Sequence, residues 1–184
     1  MSFKLQPCDV CIDVNEKMTP WAILERWALG NPHTHVRVFF GKGGPLTPVF
    51  YESVGRGVIF TNASDALGQK MVVMRLHEVY EPHVDDIKKQ MFEIATDPQS
   101  QYDYACIPGL VVPRLICEKL GIPLPLRYQR NPIYVCSEAA AEPFWRVEIE
   151  VLPRDVIPLP HDFLFSPVLH KAEEGTLSES WLAG

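Results

Sequence analysis

The sequence predicts an α+β fold: a small antiparallel sheet with about four helices packed on it. Three observations lead there. Short runs of β-branched and aromatic residues between Thr34 and Leu76 are joined by turns too short for a crossover helix, so neighbouring strands must run antiparallel. Helical spacing of apolar residues occurs in separate segments, before and after those runs. The 184 residues are 47% hydrophobic and 10% aromatic, enough for one core, while 11 of the 17 prolines fall from Pro98 onward and make the second half rich in loops.

Cys8 to Val14 alternates as a half-buried strand. A helix follows, with Thr19 as its cap, Pro20 at the first helical position and Gly30 as its stop. Trp21, Leu24 and Ala28 with Ile23 and Trp27 form its apolar stripe. Thr34 to Gly41 is a strand, Gly43-Gly44-Pro45 turns the chain, and Val49–Val54 and Gly57–Phe60 are the next two strands about a Gly55-Arg56-Gly57 turn. Met71–Leu76 is another. Val84, Ile87, Met91 and Ile94 mark an amphipathic helix over Pro82–Ala95. Pro98–Tyr104 reads as a loop. Leu110–Leu120 reads as a helix with Pro113 in its first turn and Gly121 at its end. Ile133-Tyr134-Val135 is extended and leads into a helix that opens at Cys136 and stops near Pro143. Val147–Leu152 alternates as a last strand. The domain is expected over residues 1–170, with 171–184 as a loose, small and polar tail apart from Leu177, Trp181 and Leu182.

Seventeen Lys and Arg against 23 Asp and Glu give a net charge of -6. With no basic cluster, this argues against a partner held by phosphate neutralisation, so no nucleic acid is expected. No apolar run reaches the roughly 18 residues of a membrane span. The segment from Met1 to Pro7 has no long apolar stretch of the secretory kind, so a cytosolic protein is expected. Five cysteines (Cys8, Cys11, Cys106, Cys117, Cys136) are an odd number, which disfavours a disulfide framework. Cys8-x-x-Cys11 lies within a strand pattern and no second pair matches its spacing, so zinc is not expected. Gly41-Lys42-Gly43-Gly44 lacks the Gly-Lys-Ser/Thr and helix of a phosphate loop. No cofactor is expected.

Cys136 carries the most information. A thiol that ends an extended segment and opens a helix meets backbone N–H groups and the positive end of the helix dipole, which favour a thiolate. The Cys136 N–H is also placed to hold an oxyanion when a carbonyl is attacked. A buried cysteine that packs as a small hydrophobe is the competing reading. A thiolate nucleophile works with a base and an orienting group. His35, at the start of a strand that puts His35, Arg37 and Phe39 on one face, is the base candidate. Glu52 is the third: a carboxylate among Val, Phe and Tyr in the strand expected to pair with that of His35.

Pro7-Cys8-Asp9-Val10 resembles the Pro-Gly-Asp-Val opening of the permuted NlpC-type, papain-like cysteine peptidases, with Cys8 in place of glycine. Thr34-His35-Val36-Arg37-Val38-Phe39-Phe40-Gly41 is similar to their Ser/Thr-His-Val strand. Val49-Phe50-Tyr51-Glu52-Ser53 is similar to the next strand with its polar third residue. Tyr102-Asp103-Tyr104 resembles their Tyr-Asp-Tyr signature, and Tyr134-Val135-Cys136-Ser137-Glu138 their Cys-Ser-Glu nucleophile motif. Leu152-Pro153-Arg154-Asp155-Val156 through Ser166-Pro167 resembles the end of the domain. The order His, acid, Cys reverses papain's and marks the permuted branch, which is similar to YiiX-like proteins and to the lecithin retinol acyltransferase group. The resemblance implies a papain-like fold, Cys136 as nucleophile, His35 as base and Glu52 as the residue that fixes the imidazole. Tyr104 is read as an oxyanion or substrate contact.

The resemblance also implies substrates. Bacterial cell-wall peptides come first and lipid-linked acyl groups second, which would require release on lysis or carriage in a phage particle. The competing reading is a structural or binding module of such an assembly, without turnover. Arg37 departs from the family, which has a small residue there. The His35–Glu52 spacing is also longer by a few residues, with Gly43-Gly44-Pro45 as the expected insertion; a slip of one register would turn Glu52 to the other face.

Overall fold

The computed structural model describes residues 3–15, 32–43, 47–102, 112–121 and 133–183. The expected helix Thr19–Gly30 lies outside them. Strands β1 (Val10–Val14), β2 (His33–Lys42), β3 (Pro48–Val54), β4 (Gly57–Asn62) and β5 (Lys70–Leu76) come first in the chain. Helix α1 (Val84–Thr96), the short strand β6 (Gln101–Tyr102), α2 (Val112–Leu120), the short strand β7 (Ile133–Tyr134) and α3 (Cys136–Arg146) follow. Strand β8 (Leu169–Thr176) and the one-turn α4 (Glu179–Leu182) complete it. Six strands form one antiparallel sheet in the order β4-β3-β2-β1-β5-β8, while β6 and β7 pair in parallel. The α+β expectation thus matches the architecture.

Both faces of the sheet are covered, which explains why all five residues of β1 are buried. On one face Val10, Ile12, Val36, Val38, Tyr51 and Met74 meet Ile87, Met91 and Ile94 of α1 and Ala139, Ala140 and Phe144 of α3. The alanines keep α3 thin where it lies on β2 and β3, so its backbone comes close to the strands. On the other face Cys11, Phe39, Phe50, Met71 and Val73 meet Leu5, Leu177 and Trp181. Cys8, where the resemblance has glycine, stands at φ 70°, in the left-handed region that glycine enters at no steric cost.

Three expectations are corrected. Helix α3 does not stop at Pro143 but continues to Arg146. Proline forfeits one donor, and the turn beyond is held by burial of Phe144 and Trp145 and by the bond from Trp145 Nε1 to the Leu152 carbonyl at 2.8 Å. Val147–Leu152 is not a strand: Glu148 takes φ 61°, and Ile149 N–H turns back to the Phe144 carbonyl. The last strand is β8, in the stretch expected as a loose tail. Its Lys, Glu and His suit an edge strand that needs protection from further pairing, a pattern that reads as a polar tail until β5 is placed beside it. Leu177 and Trp181 then bury against the sheet's second face. Within the Pro98–Tyr104 loop, Gln101–Tyr102 is drawn into pairing with β7.

Candidate active site

Cys136 occupies the first turn of α3, behind an extended Val135 cap at φ −78° and ψ 167°. The Glu138 carboxylate accepts the Val135 N–H at 2.8 Å, which fixes the helix start. Two serines anchor it on either side. Ser53 Oγ of β3 donates to the Tyr134 carbonyl at 2.9 Å, and Ser137 Oγ donates to the Pro158 carbonyl at 2.7 Å. Cys136 is half-buried, and its N–H, at the first helical position, has no acceptor within the helix.

His35 projects from β2 beside Asp13 of β1. Its Nε2 lies 2.6 Å from Glu52 Oε2. The Cys136 thiol lies close enough to the imidazole to favour its protonated form, and since Nε2 is on the carboxylate, the nitrogen left for sulfur is Nδ1. Burial disfavours the imidazolium, but the bonds to Cys136 and Glu52 outweigh it and raise the His35 pKa from 6.5 to about 10. Burial likewise opposes ionisation of Glu52, yet the His35 bond and then the Arg37 charge take its pKa from 4.5 down to about 2. Thr61 Oγ1 donates to the second oxygen of Glu52.

The three residues expected to form the site therefore lie side by side, His35 bonded to Glu52 and close to Cys136, with Glu52 buried at 5% exposure rather than on a solvent face. The feared register slip is absorbed elsewhere. The irregularity of β2 against β3 falls between Phe39 and Gly41, where Gly41 takes φ 100°, and pairing from Val38–Tyr51 inward keeps Glu52 on the face of His35. Of the fourth residue, Tyr104, and of Gly44-Pro45, nothing is described. Cys8 and Cys11 belong to the two different core clusters, on opposite faces of the sheet, so they do not form a pair of ligands. Burial pushes the Cys8 thiol up to about 12 and Cys11 well above its usual value. Among the described residues, no group of three or more His, Cys, Asp or Glu is arranged to hold a metal ion, and no helix is long and apolar enough to cross a membrane.

Sequence reading missed Thr61 and Asp13. Arg37 of β2 forms an ion pair with Asp13, stands with its Nη1 3.6 Å from Glu52 Oε1, and lies over the Phe50 ring at 5.4 Å. The signal for Asp13 was available: a carboxylate within Val-Cys-Ile-Asp-Val is as anomalous as Glu52 within its strand.

No family model and no curated protein matches the chain. Among solved structures it is similar to the crystal structure of metalloprotein YiiX from Escherichia coli O157:H7 (DUF1105). That likeness has a TM-score of 0.49 at 15% identity and covers 94% of this chain and 98% of the other.

Proposed function

We propose that the protein is a thiol hydrolase that cleaves an amide or ester through an acyl-enzyme on Cys136. One observation carries the reading: an imidazole beside the thiol at the head of a helix has its Nε2 2.6 Å from a buried carboxylate. For attack, the thiol proton of Cys136 passes to His35, giving thiolate and imidazolium. The thiolate attacks the carbonyl carbon, and the Cys136 N–H contributes to the oxyanion site. Collapse of the tetrahedral adduct expels the leaving amine or alcohol, which takes the proton of His35. The neutral imidazole then removes a proton from water, whose oxygen attacks the thioester. The C–S bond breaks, the acid leaves, and thiolate and imidazolium are restored.

The acylation step also changes the base. Part of what keeps His35 protonated is the facing sulfur. Once that sulfur is a thioester it carries no charge and accepts weakly, so the imidazole loses its proton more readily when it must act on water.

On the matched segments, we read the fold as the permuted papain-like arrangement. The same resemblance makes cell-wall peptides the first substrates to screen and lipid-linked acyl esters the second. The test is alkylation of each cysteine at pH 7, read by peptide mass spectrometry, on wild type and His35→Ala. Cys136 should react far ahead of the buried Cys8 and Cys11 and slow by roughly tenfold or more without His35. Equal rates in the two proteins would remove the nucleophile assignment and leave a binding module on the same fold.

A further inference from the structure

Behind the His35–Glu52 bond the charges continue. Arg37 holds its guanidinium between two carboxylates, one nitrogen on Asp13 Oδ2 and the other 3.6 Å from Glu52 Oε1. Asp13 in turn sits across from His35 in the β1–β2 ladder. Read along its length, Asp13, Arg37, Glu52 and His35 alternate in sign up to the Cys136 thiol. Asp13 is 4% exposed, and the Arg37 side chain 14%.

As a device for stability this pair is a poor one. Strands β1 and β2 are already joined by their backbone ladder. Taking two charges out of water costs more than their attraction returns unless every polar atom is satisfied. Among the described residues, Asp13 Oδ1 and Arg37 Nε have no hydrogen-bond partner. The arrangement makes sense beside a site whose chemistry depends on one proton. Without Arg37, two carboxylates would face His35 with no cation between them, and the imidazolium would be held too firmly to serve later as a base.

We infer that Arg37, braced by Asp13, is a positioning residue of the Cys136–His35–Glu52 row: it keeps Glu52 ionised and oriented, and it limits how tightly that carboxylate retains the proton on His35. The inference rests on the thiol-hydrolase reading and adds a control on its second step, hydrolysis of the acyl-enzyme. The charged groups facing His35 are Glu52 from β3, Arg37 on its own strand, Asp13 from β1 and Cys136 from α3. Two others nearby, His161 and Glu174, act on His33.

The signs of two variants oppose each other, which separates this role from a structural one. Arg37→Met removes the cation, so the His35 titration midpoint should rise by about one unit. Hydrolysis of the acetyl-enzyme formed with p-nitrophenyl acetate should then slow by roughly tenfold at pH 7. Asp13→Asn removes an anion and releases Arg37 toward Glu52, so the midpoint should fall and hydrolysis should not slow. Arg37→Lys keeps the charge and should restore most of the midpoint but lose the fork between the two carboxylates. Midpoints are read from histidine ring NMR on the full chain, with His35→Gln for assignment.

Should Arg37→Met fail to fold around an unpaired Asp13, the double variant Asp13→Asn/Arg37→Met decides, and its midpoint must lie above that of Asp13→Asn alone. Midpoints that stay put, or that move in the same direction in folded single variants, overturn the inference. The hydrolase reading fails by a different result, namely a wild-type Cys136 whose alkylation ignores His35.

Discussion

The ion pair of His35 and Glu52 makes stability depend on pH from both sides. His35 has its folded pKa raised from 6.5 to about 10, so its contribution is complete below pH 6.5 and is lost as pH rises through 10. Glu52 is depressed from 4.5 to about 2, so its contribution is complete above pH 4.5 and is lost as pH falls through 2. The pair therefore stabilises most between pH 4.5 and 6.5. In His35→Ala the urea midpoint should lose much of its decline between pH 6.5 and 10, and a decline that persists unchanged would assign it to other groups. Glu52→Gln keeps the shape but not the charge that favours the imidazolium. Its Cys136 alkylation at pH 7 should drop by roughly tenfold, while Cys8 and Cys11 stay unreactive. At this scale His35, Glu52 and Cys136 stood out as candidates because each is an anomaly where it stands: a histidine and a carboxylate in apolar strands, and a thiol at a helix start. Thr61 was not, since a threonine in a strand is ordinary until Glu52 is placed opposite it.

Among the elements, the β3–β4 hairpin is the most exacting. It carries Glu52 and Ser53 on opposite faces, one oxygen-bearing side chain toward His35 and one toward the segment that leads to Cys136. Its turn depends on Gly57, at φ 109°, where an added Cβ would stand 2.6 Å from the Ser100 carbonyl oxygen. Gly57→Ala should cost about 2 kcal/mol or more through backbone strain and that clash, and it should slow Cys136 alkylation as well, because the hairpin seats both partners of the site. A variant with normal urea stability would show that the turn relaxes freely. The strand runs, α1 and α2 with its Gly121 stop were readable from periodicity and punctuation. The end of α3 was misplaced because proline in a last turn forfeits only one bond, and buried Phe144 and Trp145 outweigh it.

The whole molecule differs most from expectation at its C-terminal part. Strand β8 pairs with β5 over Leu169–Thr176, and Trp181 packs edge-on against Phe3 at 4.9 Å between ring centres while its carbonyl accepts the Leu5 N–H. Both chain ends thus close the second face of the sheet, the one that also carries Arg37 and Glu52. Trp181→Ala should cost about 3 kcal/mol and lower the urea midpoint of the entire domain rather than unfold a separate tail; two transitions would mean the edge is independent. The sequence by itself determined the class of fold, the strand and helix segments with strong periodicity, and which three residues to bring forward as a candidate site, because those follow from local spacing and residue type. Only the tertiary structure decided that a polar run becomes an edge strand, that Asp13 and Arg37 stand behind Glu52, and that the register holds Glu52 on the face of His35. Each of these depends on what lies beside a strand in space, and a strand's neighbours are set by closure of the sheet rather than by its own residues.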